Sequence, residues 1–232
     1  MTVPGGWLGA MWPFVRDHVP AAPAAVLEIG CGAAGGFVPA LRDAGYAVAG
    51  VDPQAPDAPG FHRIAFEGYE PEQPVAAVVA SNSLHHVGDL AEVAGRIYEV
   101  LRPDGILVVM EWGWERFDAA TASWCFDRLG AAGDDDHDWL RRRHDDWAAS
   151  GRPWDDYFPG WAAGHGLHAG RDVVAALDAR FDRRHYAEGP YFFPSLAGVA
   201  YADEQAAIDA GQIRPAGIRY VGAPRSSARG RV

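Results

Sequence analysis

The stretch VLEIGCGAAGGFVPAL, residues 26–41, changes character twice within sixteen residues. Residues 24–29 are apolar and of strand length, residues 30–36 carry four glycines, and residues 37–45 show helical spacing closed by a glycine. A strand that runs through a glycine turn into a helix lets a ligand approach the backbone closely and offers it free N–H groups. The spacing Gly30-x-Gly32-x-x-Gly35 matches the dinucleotide fingerprint, and Asp52 lies 22 residues beyond Gly30, where a ribose-binding carboxylate belongs. These features allow NAD or FAD, and equally any other adenosine ligand.

Outward from the turn, strand and helix patterns alternate. Residues 46–51 predict a second strand ending at Asp52 and Pro53, residues 61–66 a third, and residues 75–80 a fourth. An amphipathic helix over residues 90–101, closed by Arg102-Pro103-Asp104-Gly105, leads to a fifth strand over residues 106–110. Strands that are apolar throughout and alternate with helices indicate an α/β fold with a parallel sheet covered on both faces. The rhythm breaks after Trp112: the residues as far as Leu167 read as helical and hold seven of the nine tryptophans. A helix over 172–181, a strand over 183–193, a helix over 201–210 and a strand over 216–223 follow, and the tail from Arg225 is expected to fray. One domain is expected, with an N-terminal arm over 1–20, a cofactor-binding core over 24–112, a helical lid over 113–168 and completion of the sheet over 171–223. In the arm, Trp7, Leu8, Met11, Trp12 and Phe14 are expected to pack on the domain, with closure over a ligand as the alternative.

Composition removes several function classes. All 20 basic residues are arginines, which excludes lysine Schiff-base chemistry, pyridoxal phosphate enzymes and phosphate-loop ATPases. The net charge of -11 disfavours a nucleic-acid partner, and the basic run Arg141-Arg142-Arg143 is offset by Asp134, Asp135, Asp136, Asp138, Asp145 and Asp146. No apolar run is long enough to span a membrane, and the first 20 residues lack the pattern of a secretory signal. Cys31 and Cys125 form neither a disulfide framework nor a four-cysteine metal site and suit a reducing cytoplasm. A homodimer is compatible with the sequence.

Three further features narrow the ligand. Glu28 stands two positions before Gly30, where its charge would repel a pyrophosphate and welcome an ammonium group. Ser81-Asn82-Ser83-Leu84-His85-His86 follows the fourth strand, and Leu101-Arg102-Pro103-Asp104-Gly105 precedes the fifth. Together these resemble class I S-adenosylmethionine-dependent methyltransferases over residues 24–112, and more weakly over 171–223. The resemblance implies a Rossmann-like, doubly wound, mostly parallel seven-stranded sheet with a C-terminal antiparallel hairpin, into which the Trp-rich helical stretch is inserted after strand five. It implies S-adenosyl-L-methionine as cofactor, with Glu28, Gly30 and Gly32 at its methionine end, Asp52 on the ribose, Pro53, or Phe66 and Glu67, toward the adenine, and Ser81 as a further cofactor contact. The family's third glycine is here Ala34.

A sulfonium methyl is already activated, so the protein has to align the acceptor and remove its proton. Asn82, His85 and His86 are spaced i, i+3, i+4, so on a helix they would share one face near the sulfonium. His85, ahead of His86, is the candidate base, Asn82 a substrate contact, and His144, His165 and His168 are reserves. Two imidazoles and an amide lack the carboxylates magnesium prefers, and the run Asp134–Asp138 reads as a solvated helix start, so no metal is expected. Glu111, Trp112 and Trp114 follow strand five, where ligands of open parallel sheets bind, and are expected at an acceptor pocket completed by Tyr186, Tyr191, Phe192 and Phe193. The expected activity is methyl transfer to a small aromatic or apolar acceptor. The rivals are an NAD(P)-linked oxidoreductase, for which no Tyr-x-x-x-Lys is present, and a protein of the same fold that binds the cofactor as a cyclase or sensor without methylating.

Overall fold

A computed structural model describes residues 6–130 and 139–226. It begins with helix α1 (Gly6–His18), followed by β1 (Ala25–Ile29), the glycine turn and the short α2 (Val38–Asp43). Next come β2 (Ala47–Val51), β3 (Phe61–His62), β4 (Val75–Ser81), α3 (Leu90–Val100) and β5 (Leu101–Trp112). The insertion contributes α4 (Ala119–Phe126), α5 (Trp139–Ser150) and α6 (Trp154–Gly164). The chain closes with α7 (Gly170–Asp178), β6 (Phe181–Gly189), α8 (Tyr201–Asp209) and β7 (Gly217–Pro224). The run Asp134–Asp138 and residues 227–232 of the tail lie outside the described residues.

The seven strands form one sheet in the order β3-β2-β1-β4-β5-β7-β6, parallel as far as β5, with β7 antiparallel to both β5 and β6. Because successive side chains point to opposite faces, the apolar strands feed two cores at once. Leu27, Ile29, Val78, Ala80, Leu107 and Val109 pack with Ile97 of α3 and Leu177 of α7. Their neighbours Val26, Ala77, Val79, Val108 and Met110 pack with Leu41 of α2 and with Met11, Trp12 and Val15 of α1. The arm is therefore a structural helix along most of its length.

Three boundaries differ from the expectation for physical reasons. The third strand shrinks to two residues because the chain turns after His62, where the Ile64 N–H bonds back to the His62 carbonyl, and Phe66 leaves the sheet to be buried. The fifth strand extends to Trp112 because β7 pairs with it there, Glu111 opposite Ile218 and Trp112 opposite Gly217, while a register shift absorbs the exposed residues 102–104. The sixth strand stops at Gly189, and Phe192 and Phe193 turn into the interior instead.

Candidate active site

The glycine turn is anchored from beneath. Gly30 adopts φ +77° and donates its N–H to the Val51 carbonyl at 2.9 Å; a Cβ there would come within 2.2 Å of Ser83 Cβ, so glycine is what lets the turns after β1 and β4 touch. Gly36, at φ +54°, leaves room for Glu28, whose Oε1 would lie 2.2 Å from an added Cβ. Glu28 is fully buried, and both of its oxygens accept from the Phe37 N–H, at 3.0 and 2.8 Å. Burial pushes its carboxyl up to about 8 against the pull of this N–H, so the group is largely protonated at neutral pH. The carboxyl, expected at the mouth of the turn, sits on its floor and anchors it.

The turn after β4 is held in a similar way with a different electrostatic outcome. Glu111, fully buried at the end of β5, accepts from the N–H groups of Ser83 at 2.8 Å, Leu84 at 2.7 Å and Trp112 at 2.8 Å, and from His85 Nδ1 at 2.5 Å. Burial works to raise this carboxyl, but His85 and the N–H donors prevail and hold it below the usual carboxylate range. Glu111 therefore faces the loop rather than a substrate, and the expected i, i+3, i+4 helix is a single 3-10 turn over residues 84–86. It buries His85 to 3% exposure and leaves His86 exposed, with the two rings 4.1 Å apart. Desolvation and the neighbouring His85 lower the His86 pKa, partly opposed by Glu111.

A third buried carboxylate, Glu204 of α8, was not singled out from sequence. It accepts from the N–H groups of Tyr191 at 2.7 Å, Phe192 at 3.1 Å and Phe193 at 2.6 Å, fixing the aromatic turn beyond β6. Glu28, Glu111 and Glu204 are the buried carboxylates among the described residues, and each bonds the backbone of a loop at the site.

Two cavities meet over the glycine turn. One, of about 360 Å³, is lined by Gly30, Gly32, Asp52, Pro53, Phe66, Glu67, Asn82 and His86, with Val87 and Gly88 at its edge. The other, of about 430 Å³, is lined by Trp7, Leu8, Glu28, Ser81, Gln54 and Asn82 together with the turn. Asn82 stands where they join, in the left-handed region at φ +49°, and its buried Oδ1 has no partner within the protein. Asp52, half-buried, accepts from the Gln54 N–H through Oδ1, leaving Oδ2 for a diol. These donors and acceptors fit an adenosine ligand that carries an amino-acid tail.

Trp7 and Leu8 of the arm were expected mainly as packing residues, yet both line the second cavity, and Trp7 Nε1 donates to Ser81 Oγ at 3.4 Å. Tyr191 lies between Trp7, at 5.2 Å edge-on, and Trp112, at 5.4 Å and nearly parallel. The lid tryptophans chiefly pack on one another. Trp112 is 4% exposed and touches Trp139 and Phe158, and Trp154 is buried against Phe117, Phe158 and Trp147. Trp114 bonds the His168 carbonyl and lines a separate cavity with Phe117, Arg171 and Arg214. Tyr186 is tied to Arg116 and Glu188 on β6. His168 bonds the Val87 carbonyl, His165 the Trp161 carbonyl and His144 the Asp145 carboxylate, and none of the three lines either cavity over the turn. Among the described residues no three His, Cys, Asp or Glu side chains gather as metal ligands, and no helix is long and apolar enough to cross a membrane.

A glycine turn at the carboxyl ends of β1 and β4, a carboxylate after β2 and an antiparallel β7 define the Rossmann-like methyltransferase architecture. The comparisons agree: residues 14–163 match the methyltransferase domain family, and the chain belongs to it as an S-adenosylmethionine-dependent enzyme. No curated protein matches the sequence. Among solved structures, an S-adenosylmethionine-dependent methyltransferase from Mesorhizobium loti is similar at 21% identity and TM-score 0.53, over 93% of this chain and 98% of that one. Geranyl diphosphate C-methyltransferase from Streptomyces coelicolor A3(2) aligns at 15% identity and TM-score 0.54, over 93% of this chain and 76% of that one. The N-methyltransferase NodS from Bradyrhizobium japonicum WM9, in complex with S-adenosylhomocysteine, aligns at 14% and 0.51, over 94% and 86%. The oxidoreductase alternative is not favoured by these matches.

Proposed function

We propose that this chain methylates a nucleophilic nitrogen, oxygen or carbon of a small aromatic or apolar acceptor, with His86 as the base that takes the acceptor's proton. The observation that carries this reading is the junction of the two cavities at Gly30 and Asn82, with Asp52 on one side, Trp7 on the other and His86 in the wall. When bound, S-adenosylmethionine supplies a methyl group already activated by its sulfonium. Asp52 would accept from the ribose hydroxyls, Phe66, Pro53 and Glu67 would flank the adenine, and the cavity wall at Ser81 and Asn82 would meet the amino-acid tail. Glu28 supports the turn from below. His86, its pKa lowered, is neutral at physiological pH and free to accept a proton. His85, bonded to Glu111, stands behind it and fixes the turn that carries it. This differs from the expectation that put His85 first, because only His86 lines a cavity.

Structural likeness to a geranyl diphosphate C-methyltransferase supports a small acceptor, as does the net charge of -11, which disfavours a nucleic acid. The two buried free cysteines suit a cytoplasmic location. Calorimetric titration with S-adenosylmethionine, S-adenosylhomocysteine and NADH tests the reading. Both sulfur ligands should bind and NADH should not; the reverse pattern would reject it.

A further inference from the structure

A third cavity, of about 390 Å³, is built by the insertion, the start of α7 and the residues before β7, and it shares no lining residue with the two over the glycine turn. That volume admits a small organic molecule. Its apolar wall is fixed in place: Phe117 and Phe158 are buried with their rings edge-on at 5.1 Å, and Trp114 is held by its bond to the His168 carbonyl at 3.0 Å. Three carboxylates and two guanidiniums complete the lining, and their commitments differ. Glu115 accepts from the N–H groups of Gly170 and Arg171 through one oxygen each, so both oxygens are engaged at the start of α7. Asp118 caps α4, accepting from the Thr121 N–H at 2.9 Å and its hydroxyl at 2.7 Å, and Asp155 accepts from the Ala119 N–H at 3.0 Å. The positive end of a helix thus offsets each acidic charge. The guanidiniums have no such compensation. Arg214 bonds through its backbone N–H to Thr121 while its side chain meets no acceptor among the described residues, and Arg171 reaches only the exposed Asp172 beside it, at 3.7 Å. Two open guanidinium forks beside an aromatic wall suit a flat body that carries a carboxylate, which arginine can hold with two parallel bonds. Asp118 and Asp155 disfavour a doubly charged phosphate in the same place.

We infer that this cavity is a second ligand site, which takes a flat aromatic monocarboxylate with its ring on Trp114, Phe117 and Phe158 and its carboxylate on Arg171 and Arg214. The inference goes beyond the methyl-transfer reading and does not depend on it.

The test is equilibrium binding to the full chain of 2-naphthoate and 2-naphthylmethylamine, two probes of like shape and opposite charge. 2-Naphthoate should bind at least about tenfold more tightly than the amine, because like charges brought together strongly disfavour the wrong partner. Exchanging both arginines, Arg171→Gln with Arg214→Gln, should weaken 2-naphthoate by about fivefold, the upper range for exposed ion pairs. No arginine lines the two cavities over the glycine turn, so the exchange also separates this site from those. Both side chains are exposed, and either single exchange, expected to act in the same direction, serves if the pair lowers the melting temperature. No binding of 2-naphthoate at millimolar concentration, equal or tighter binding of the amine, or an affinity for 2-naphthoate unchanged by the exchange would overturn the inference.

Discussion

Replacing Glu28 by glutamine should abolish a pH dependence of stability that the native side chain imposes. Its carboxyl is fully buried and its pKa is raised from 4.5 to about 8, so the folded protein holds a proton that the unfolded chain has released. Where the folded state binds the extra proton, stability falls with rising pH, by roughly 1.4 kcal/mol per pH unit for one proton. The stabilising contribution of the protonated carboxyl is complete below about pH 4.5 and is lost as pH rises toward about 8. Between pH 5.5 and 7.5 the loss amounts to roughly 2 to 3 kcal/mol. Glutamine keeps an oxygen for the Phe37 N–H and does not titrate, and the other ionisable groups are common to both proteins. Urea unfolding followed by tryptophan fluorescence at the two pH values gives the comparison. The stability of the native protein relative to Glu28→Gln should fall by that amount as the pH is raised. Parallel pH dependences would refute the reasoning, because Glu28 would then titrate as an ordinary carboxylate.

Asp52→Ala should weaken S-adenosylhomocysteine binding by about 1.5 to 3 kcal/mol, the scale for hydrogen bonds to a charged acceptor, and an unchanged dissociation constant would remove Asp52 from the site. In His86→Gln, turnover should fall and the acid limb of the rate profile should disappear; in the native enzyme that limb lies below the ordinary histidine value of 6.5, since His86 is shifted downward. A variant retaining both rate and limb would exclude His86 as the base. Gly30→Ala forces a Cβ to 2.2 Å from Ser83 Cβ at a positive φ, so it should destabilise the fold by more than about 1 kcal/mol in thermal unfolding. An unaltered melting temperature would mean that the two turns do not need to touch.

Some of the site was legible because it depends on local chain chemistry. Gly30, Gly32, Asp52, Phe66, Asn82 and His86 all line one cavity, and each was marked by its position at a strand end. The roles of Glu28, Glu111 and His85 could not be read in the same way. A glutamate at a strand end has the same spacing whether it faces a ligand or turns inward, and the choice is made by Gly36 and by the backbone donors of loops distant in sequence. Trp7 and Leu8 carried helical spacing that indicates packing, which the rest of α1 obeys; only docking of the helix on the sheet brings its first turn over Ser81. The lid tryptophans showed the converse, for aromatic density in an insertion marks a need for burial as much as a place for a ligand.

The sequence by itself determined the alternation of apolar strands and helices, the turn at Gly30, the carboxylate after the second strand and the absence of lysine. These are properties of single segments and of composition, set by side-chain periodicity and backbone freedom. Tertiary structure alone decided which carboxylates stay exposed and which are buried against backbone N–H groups, which histidine reaches the cavity, and which aromatic rings form its wall. Burial and hydrogen-bond partners depend on segments brought together across the sheet, such as Glu111 beneath Ser83 and Leu84, and no local pattern records that encounter.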